Sequence, residues 1–202
     1  MINYQESICK QTSLFKPFAH KDKIKGVFSW NELVALLNSP LSTHRFHATG
    51  AECKPVDQYN EWQTIADLIA PADIFNYAKN HVCYIQDCSR INKKINKIAH
   101  DLEWYTGFSC DAHIFFSLKD KEDDTDGFGM HKDVCHNLII QVEGRTNFTV
   151  KDEFEIMLEP GDCVFVPKGV YHQAKSVENR LSVSFPMNPD HKTKQDRFWI
   201  DF

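Results

Sequence analysis

Long apolar runs are missing from this chain. No stretch approaches the ~20 consecutive apolar residues that a membrane-spanning helix requires, and the opening Met1-Ile2-Asn3-Tyr4-Gln5-Glu6-Ser7 lacks the apolar core of a secretory signal; no membrane association is expected. A basic excess is missing too: 23 Lys and Arg stand against 28 Asp and Glu, a formal net charge of −5. Nothing here is built to hold a phosphate backbone, so nucleic acid is not an expected partner. Paired cysteines are the third absence. Cys9, Cys53, Cys83, Cys88, Cys110, Cys135 and Cys163 are odd in number, scattered and never spaced C-x-x-C, which argues against a disulfide framework or a zinc knuckle and suits reduced thiols in a cytoplasmic protein. What the chain does have is 202 residues, 42% hydrophobic content, 15 Phe and 10 His. That is enough for one globular domain with a sizeable core.

The periodicity divides the chain in two. Ser29 with Glu32 forms a capping-box pattern, Trp30, Leu33, Val34 and Leu37 follow as one stripe, and Pro40 comes after the end. A second helix is predicted over Tyr59 to Ile69 and a short third from Pro71. His81 to Gln86 reads as a strand. After Ser89, Ile91, Ile95, Ile98, Leu102 and Tyr105 recur at helical spacing up to a capping Gly107, with Lys93, Lys94 and Lys97 as the solvated face. From residue 110 the period shortens, predicting strands at 110–118, 134–142, 145–150, 154–158, 163–166, 171–175 and 180–185, joined by tight turns. Short strands with such turns imply a sandwich or barrel. The expected organisation is a single domain over 1–202, mainly β with N-terminal helices: a helical extension with edge strands at 1–107, a core barrel at 108–186 and a tail at 187–202.

Two segments carry chemistry. His131-Lys132-Asp133 follows Gly127-Phe128-Gly129-Met130; on a strand, residues i and i+2 share a face, so His131 and Asp133 would aim at one point. They make two-thirds of a facial triad for non-haem iron(II), which needs a second histidine. The segment Glu159-Pro160-Gly161-Asp162 through Pro167-Lys168-Gly169 to His172 has a turn, a buried strand, a second turn and then a histidine opening another strand.

This second segment resembles the second motif of the cupin superfamily, in which the closing histidine binds metal. Together with Gly129 to Asp133, Asn137 to Arg145, and Phe28-Ser29-Trp30 with its helix, it resembles the JmjC-like iron(II)- and 2-oxoglutarate-dependent oxygenases. The resemblance implies a double-stranded β-helix (cupin or jelly-roll) barrel with His131, Asp133 and His172 as metal ligands. It implies 2-oxoglutarate as co-substrate with O2, and hydroxylation of an amino-acid, peptide or protein side chain. Family halogenases replace the aspartate with a small residue; Asp133 therefore points to hydroxylation. At the position where similar members place a Lys or Arg for the distal carboxylate of 2-oxoglutarate, this chain has Thr146. Arg145 alternates to the opposite face unless Gly144 introduces a bulge. Arg180, in an Arg-x-Ser element with Ser182, is the better cationic candidate because a guanidinium suits a carboxylate, and Asn137 is a further polar contact. The alternative is a cupin dioxygenase or isomerase that acts on a small polar molecule without 2-oxoglutarate.

The remaining features have plain readings. Glu122, Asp124, Asp126, Gly127 and Asp133 fit calcium-loop positions in part, but the preceding segment reads as strand and not helix. A solvated loop over 119–130, placed as a lid at the barrel mouth, is the expectation. His113 and His136 are expected to face away from the site or to support it, and Cys135 to share the inward phase. Ribosomal-protein hydroxylases carry a dimerisation region and a winged-helix-like domain after the barrel; with about seventeen residues after Phe185 these are not expected, and a monomer or weak dimer is.

Overall fold

A computed structural model describes residues 4–38, 46–48, 63–64, 71–79, 81–118 and 128–192. In chain order the elements are α1 (Tyr4–Thr12), β1 (Phe18–His20), α2 (Trp30–Leu37), β2 (Phe46–Ala48), β3 (Gln63–Thr64), α3 (Pro71–Ala78), β4 (Cys83–Ile85), α4 (Lys93–Thr106), β5 (Phe108–Cys110), β6 (His113–Ser117), β7 (His136–Glu143), β8 (Thr146–Val150), β9 (Phe154–Leu158), β10 (Cys163–Val166), β11 (His172–Ser176) and β12 (Arg180–Lys192). The strands form a nine-stranded sheet ordered β1-β10-β7-β12-β6-β4-β2-β3, with β5 also on β12, and a three-stranded sheet ordered β11-β8-β9. The neighbouring strands pair antiparallel.

The period of two explains how one sheet serves two layers. On β7, Leu138 and Ile140 join the core formed with the helices, while Ile139 joins the one between the sheets. On β12, Leu181, Val183, Phe185 and Met187 face the helices, leaving Arg180, Ser182 and Ser184 on the barrel side. On β6, Ile114 and Phe116 face the helices and His113, Phe115 and Ser117 the barrel. Helices α2 and α4 close the outer layer through Leu33, Leu37, Ile95, Ile98 and Leu102, all buried. Each such side chain contributes about 1.5–3 kcal/mol of burial.

The local signals of the helices are explicit. Ser29 Oγ accepts from Glu32 N at 3.2 Å, the N-cap bond expected from the sequence, and donates to Glu32 Oε2 at 2.9 Å, so that the glutamate holds the cap's hydroxyl. Helix α4 begins one turn later than Ser89, because Asn92 is its cap and receives Ile95 N at 2.8 Å. Gly107 ends it in the left-handed region at φ 74°.

Other expectations are corrected. The predicted strand 110–118 is two strands, because Ala112 O accepts Cys88 N (2.8 Å) and Asp111 Oδ2 accepts Asp87 N (3.0 Å), breaking the ladder. Strand β12 runs on to Lys192 by pairing with β5. Helix α1 was not expected; its buried Ile8, Cys9 and Thr12 occupy one face, too short a stripe to stand out by period. Of the predicted helix Tyr59–Ile69, Gln63–Thr64 instead pairs with β2 as an edge strand, and the rest lies outside the described residues, as do the acidic run at 119–127 and the tail from 193. No helix among the described residues is long and apolar enough to cross a membrane.

Candidate metal and co-substrate site

The second motif is held by its own aspartate. Asp162, buried at 2% exposure, accepts backbone N–H from Asp22 (2.7 Å) and Glu159 (2.8 Å) and pairs with Lys21 at 2.8 Å. The turn before β10 is thereby fixed, and β10, packed on β7, carries the chain to the turn that precedes His172. There His172 exchanges backbone hydrogen bonds with His131: His131 N donates to His172 O at 3.0 Å and His172 N to His131 O at 2.7 Å. His131 and Asp133 were expected on a strand. They lie instead on an isolated bridge and the segment leaving it, with Asp133 O accepting Gly169 N at 2.9 Å. Three backbone bonds to the second motif do the positioning that a ladder would have done.

The three side chains meet. One ligand atom from each of His131, Asp133 and His172 lies within 4.8 Å of the others. Asp133 Oδ1 is 3.7 Å from His131 Nε2, and Oδ2 is 3.4 Å from His172 Nε2. Each imidazole is oriented from behind: His131 Nδ1 donates to Gly129 O and His172 Nδ1 to Val170 O, both at 3.0 Å. That fixes the tautomer and leaves each Nε2 lone pair facing the carboxylate. Asn137 Nδ2 donates to Asp133 Oδ2 at 2.5 Å, and Asn137 Oδ1 accepts from Ser184 Oγ at 3.4 Å. Burial pushes the His172 imidazole below its ordinary pKa, with Asp133 opposing and His131 assisting, so it stands neutral at pH 7 as a ligand must. Two imidazoles and a carboxylate on one side of a cavity are the donor set of a facial triad, which fits iron(II).

The cavity beside this cluster measures about 330 Å³. His131, Asp133, Asn137, His172 and Ser184 line it, with Arg180 at the far end of the β12 face. Arg180 is buried at 6% exposure, its Nε donates to Ser182 Oγ at 3.0 Å, and its guanidinium sits 5.9 Å from the Phe115 ring centroid. No carboxylate among the described residues pairs with it. Desolvation draws its pKa down to about 10, which still leaves it charged at neutral pH. A buried cation without an anion is costly and calls for one. Thr146 is also buried, at 1% exposure, with an Oγ1 that has no hydrogen-bond partner, although it is not among the residues lining the cavity. Gly144, at φ 72°, makes the β7–β8 turn without rotating Arg145 inward; Arg145 Nε instead meets Glu178 Oε1 at 3.1 Å on the surface.

Sequence reasoning passed over part of the wall. His113 lines the cavity, as do Tyr84, Gln86, Phe115 and Phe128. The signal was available in the alternation of β6, where Ile114 and Phe116 claim the helix side and leave His113 and Phe115 the other. The strand at 81–86 was expected and is β4, but all three of its residues are buried, so no alternation marked which side chain enters the cavity. Cys135 lines the cavity as its phase suggested, while His136 turns away to stack on Phe108 at 5.6 Å.

The two sheets and the donor cluster they carry make a double-stranded β-helix (cupin or jelly-roll) barrel. Comparison with known proteins agrees with the resemblance read from the sequence. A model of the JmjC domain family matches residues 146–195. The bifunctional lysine-specific demethylase and histidyl-hydroxylase NO66 of Branchiostoma floridae is 26% identical over 137 residues, covering 65% of this chain and 21% of the relative. Its counterpart in Aedes aegypti is 22% identical, covering 100% of this chain and 33% of the relative. The chain thus spans a third or less of these relatives. Among solved structures, the ribosomal oxygenase YcfD of Escherichia coli in complex with cobalt and 2-oxoglutarate aligns with a TM-score of 0.64 at 20% identity, covering 86% of this chain and 48% of that one. The same enzyme with cobalt and succinic acid aligns at 0.60 and 19% identity, over the same shares.

Proposed function

We propose that this chain is an iron(II)- and 2-oxoglutarate-dependent oxygenase that hydroxylates an amino-acid side chain, in a peptide or protein, while 2-oxoglutarate is decarboxylated to succinate. The observation that carries the reading is the buried, carboxylate-free Arg180 sharing one cavity with His131, Asp133 and His172. A two-histidine, one-carboxylate cluster alone fits many cupins; the added internal cation is what a dicarboxylic co-substrate asks for. The similarity to a structure holding cobalt and 2-oxoglutarate and to a histidyl-hydroxylase supports the same conclusion.

In this reading His131 Nε2, Asp133 and His172 Nε2 hold the iron, and Arg180 receives the distal carboxylate of 2-oxoglutarate, with Thr146 Oγ1 as a nearby hydroxyl donor. Bound iron and 2-oxoglutarate supply the activation of dioxygen: one oxygen atom ends in the substrate hydroxyl and the other in succinate, with carbon dioxide released. The chain's part is positional. Gly129 O and Val170 O keep both imidazoles in the Nδ1–H form, Asn137 holds the Asp133 carboxylate against rotation, and Phe128, 5.3 Å from His131 ring to ring, covers that ligand from one side.

Anaerobic iron(II) and 2-oxoglutarate added to the purified protein should produce the visible charge-transfer band of the chelate. The band should be lost in His172→Ala and should need far more 2-oxoglutarate in Arg180→Ala. No band in the wild-type protein, or one unchanged in His172→Ala, would overturn the proposal. Succinate release in air separates this chemistry from a cupin that does not consume 2-oxoglutarate.

A further inference from the structure

The turn between β10 and β11 touches two of the metal ligands. Gly169 N donates to Asp133 O at 2.9 Å, and Val170 O accepts His172 Nδ1 at 3.0 Å. The placing of residues 167–170 therefore sets the backbone of one ligand and the ring of another. The sheet itself stops short of this turn. The β7–β10 ladder ends at the Asn137–Val166 pair, and Pro167, next in line, has no N–H with which to continue it. Inside the turn Val170 N donates to Pro167 O at 3.2 Å. The Lys168 side chain reaches Asp190 at 3.7 Å, but both groups are exposed, and a surface pair of that kind contributes little.

His136 takes over where the ladder stops. Its Nδ1 accepts Lys168 N at 3.0 Å. An amide N–H only donates, so Nδ1 carries the lone pair and the ring proton sits on Nε2. The ring is clamped in that orientation by Phe15, Phe108 and Phe165, with centroids at 4.7, 5.6 and 6.2 Å. Phe15 reaches it from the left-handed region, at φ 50°, a conformation that a residue with a side chain adopts only at a cost. Successive side chains of a strand point to opposite faces, so β7 secures Asp133 twice. Asn137 holds the carboxylate from the cavity side at 2.5 Å. His136, on the helix side, holds the turn that bonds the Asp133 backbone.

We propose that His136 is a positioning residue of the metal site: through Lys168 N it fixes the 167–170 turn, and through that turn the Asp133 backbone and the His172 ring, so that both ligands stand ready for the metal. The inference rests on the reading of His131, Asp133 and His172 as metal ligands. It gives two separable duties to a ring that touches neither the cavity nor the ligands: its faces fill the aromatic clamp, and its Nδ1 sets the metal site.

Two substitutions separate those duties. His136→Phe keeps an aromatic ring in the clamp and offers Lys168 N no acceptor. His136→Asn loses the ring but keeps an acceptor, because Oδ1, like Nδ1, is one bond beyond Cγ. The full chain of each, and of wild type, is titrated anaerobically with iron(II) by equilibrium dialysis, and the metal-free proteins are unfolded in urea. His136→Phe should bind iron(II) about tenfold more weakly than wild type, the usual loss when support behind a metal ligand goes, and His136→Asn should stay within about threefold. The urea midpoints should run the other way, with His136→Phe above His136→Asn. A ring that served only to fill the core could not give opposite rankings. Iron(II) affinity unchanged in His136→Phe, or affinities that follow the urea midpoints, would overturn the inference. A wild-type chain that binds no iron(II) overturns it together with the metal site, whereas one that binds iron(II) but gives no charge-transfer band with 2-oxoglutarate removes only the co-substrate reading.

Discussion

Arg180 shows how one side chain can convert a generic metal cluster into a site for a particular co-substrate. Its cost is the desolvation of a guanidinium answered among the described residues by a neutral hydroxyl, Ser182 Oγ, and the Phe115 ring, and an arriving carboxylate removes that cost while forming paired charge-assisted hydrogen bonds. At about 1.5–3 kcal/mol for hydrogen bonds to charged groups, Arg180→Ala should raise the KM for 2-oxoglutarate roughly ten- to hundredfold. Arg180→Lys should recover part of the loss, since it keeps the charge and loses the fork; succinate release against 2-oxoglutarate concentration measures both. Asn137→Ala probes a different property. It frees the Asp133 carboxylate from its 2.5 Å donor and should weaken iron(II) about ten- to hundredfold, as loss of a partner behind a metal ligand generally does, without changing the affinity for 2-oxoglutarate; anaerobic titration of the two separates them. At this scale the sequence was most informative where chemistry is encoded locally. His131, Asp133 and His172 could be read from two short motifs, and Arg180 from strand phase. For His113 the alternation of β6 set its side opposite Ile114 and Phe116, but not the Tyr84 ring beside it, which a distant part of the backbone brings.

Among the elements, the turns carry more than their length suggests. At Gly144 a Cβ would come to 1.7 Å from Asn179 O, and the residue has φ 72°, so Gly144→Ala meets both a backbone collision and a left-handed conformation. It should lower stability by more than about 3 kcal/mol or prevent folding, whereas Gly107→Ala, with open space around its Cβ, should cost only about 1 kcal/mol; urea unfolding of both gives the contrast. Asp162→Ala leaves the N–H groups of Asp22 and Glu159 without their acceptor and should cost about 2–3 kcal/mol. The strands at 145–150, 154–158 and 163–166 were legible because each is bounded by such turns, and helices α2 and α4 because their caps are written beside an apolar stripe. The strand at 81–86 was read and is β4; helix α1 and the short strands β1 to β3 were not. Each is short, and each is stabilised by packing on an element distant in sequence, as β1 is on β10, so no local period announces them.

Taken as a whole, the molecule places its apolar mass between the nine-stranded sheet and the helices and keeps its polar, reactive side chains between the two sheets. That division has a consequence for pH. His136 is enclosed by Phe15, Phe108 and Phe165, with ring centroids at 4.7, 5.6 and 6.2 Å, and its Nδ1 accepts Lys168 N at 3.0 Å. Burial, aided by Lys168, pushes its pKa below the ordinary histidine value. His20, donating through Nε2 to Gln11 Oε1 at 2.7 Å, is lowered for the same first reason, with Lys23 assisting. In both cases the unfolded chain binds the proton more readily than the folded one. The stability these groups contribute is therefore complete above pH about 6.5, the unfolded value, and falls as pH drops below it toward the folded values. Protonation of His136 at Nδ1 would also break its bond from Lys168 N. The metal-free protein should thus lose stability as pH falls below about 6.5, seen as a falling urea midpoint with an unchanged slope. His136→Gln, which cannot titrate, should be less stable than wild type at pH 7.5 and should lose less on acidification. Parallel pH profiles for the two proteins would show that His136 is not a source of the acid sensitivity.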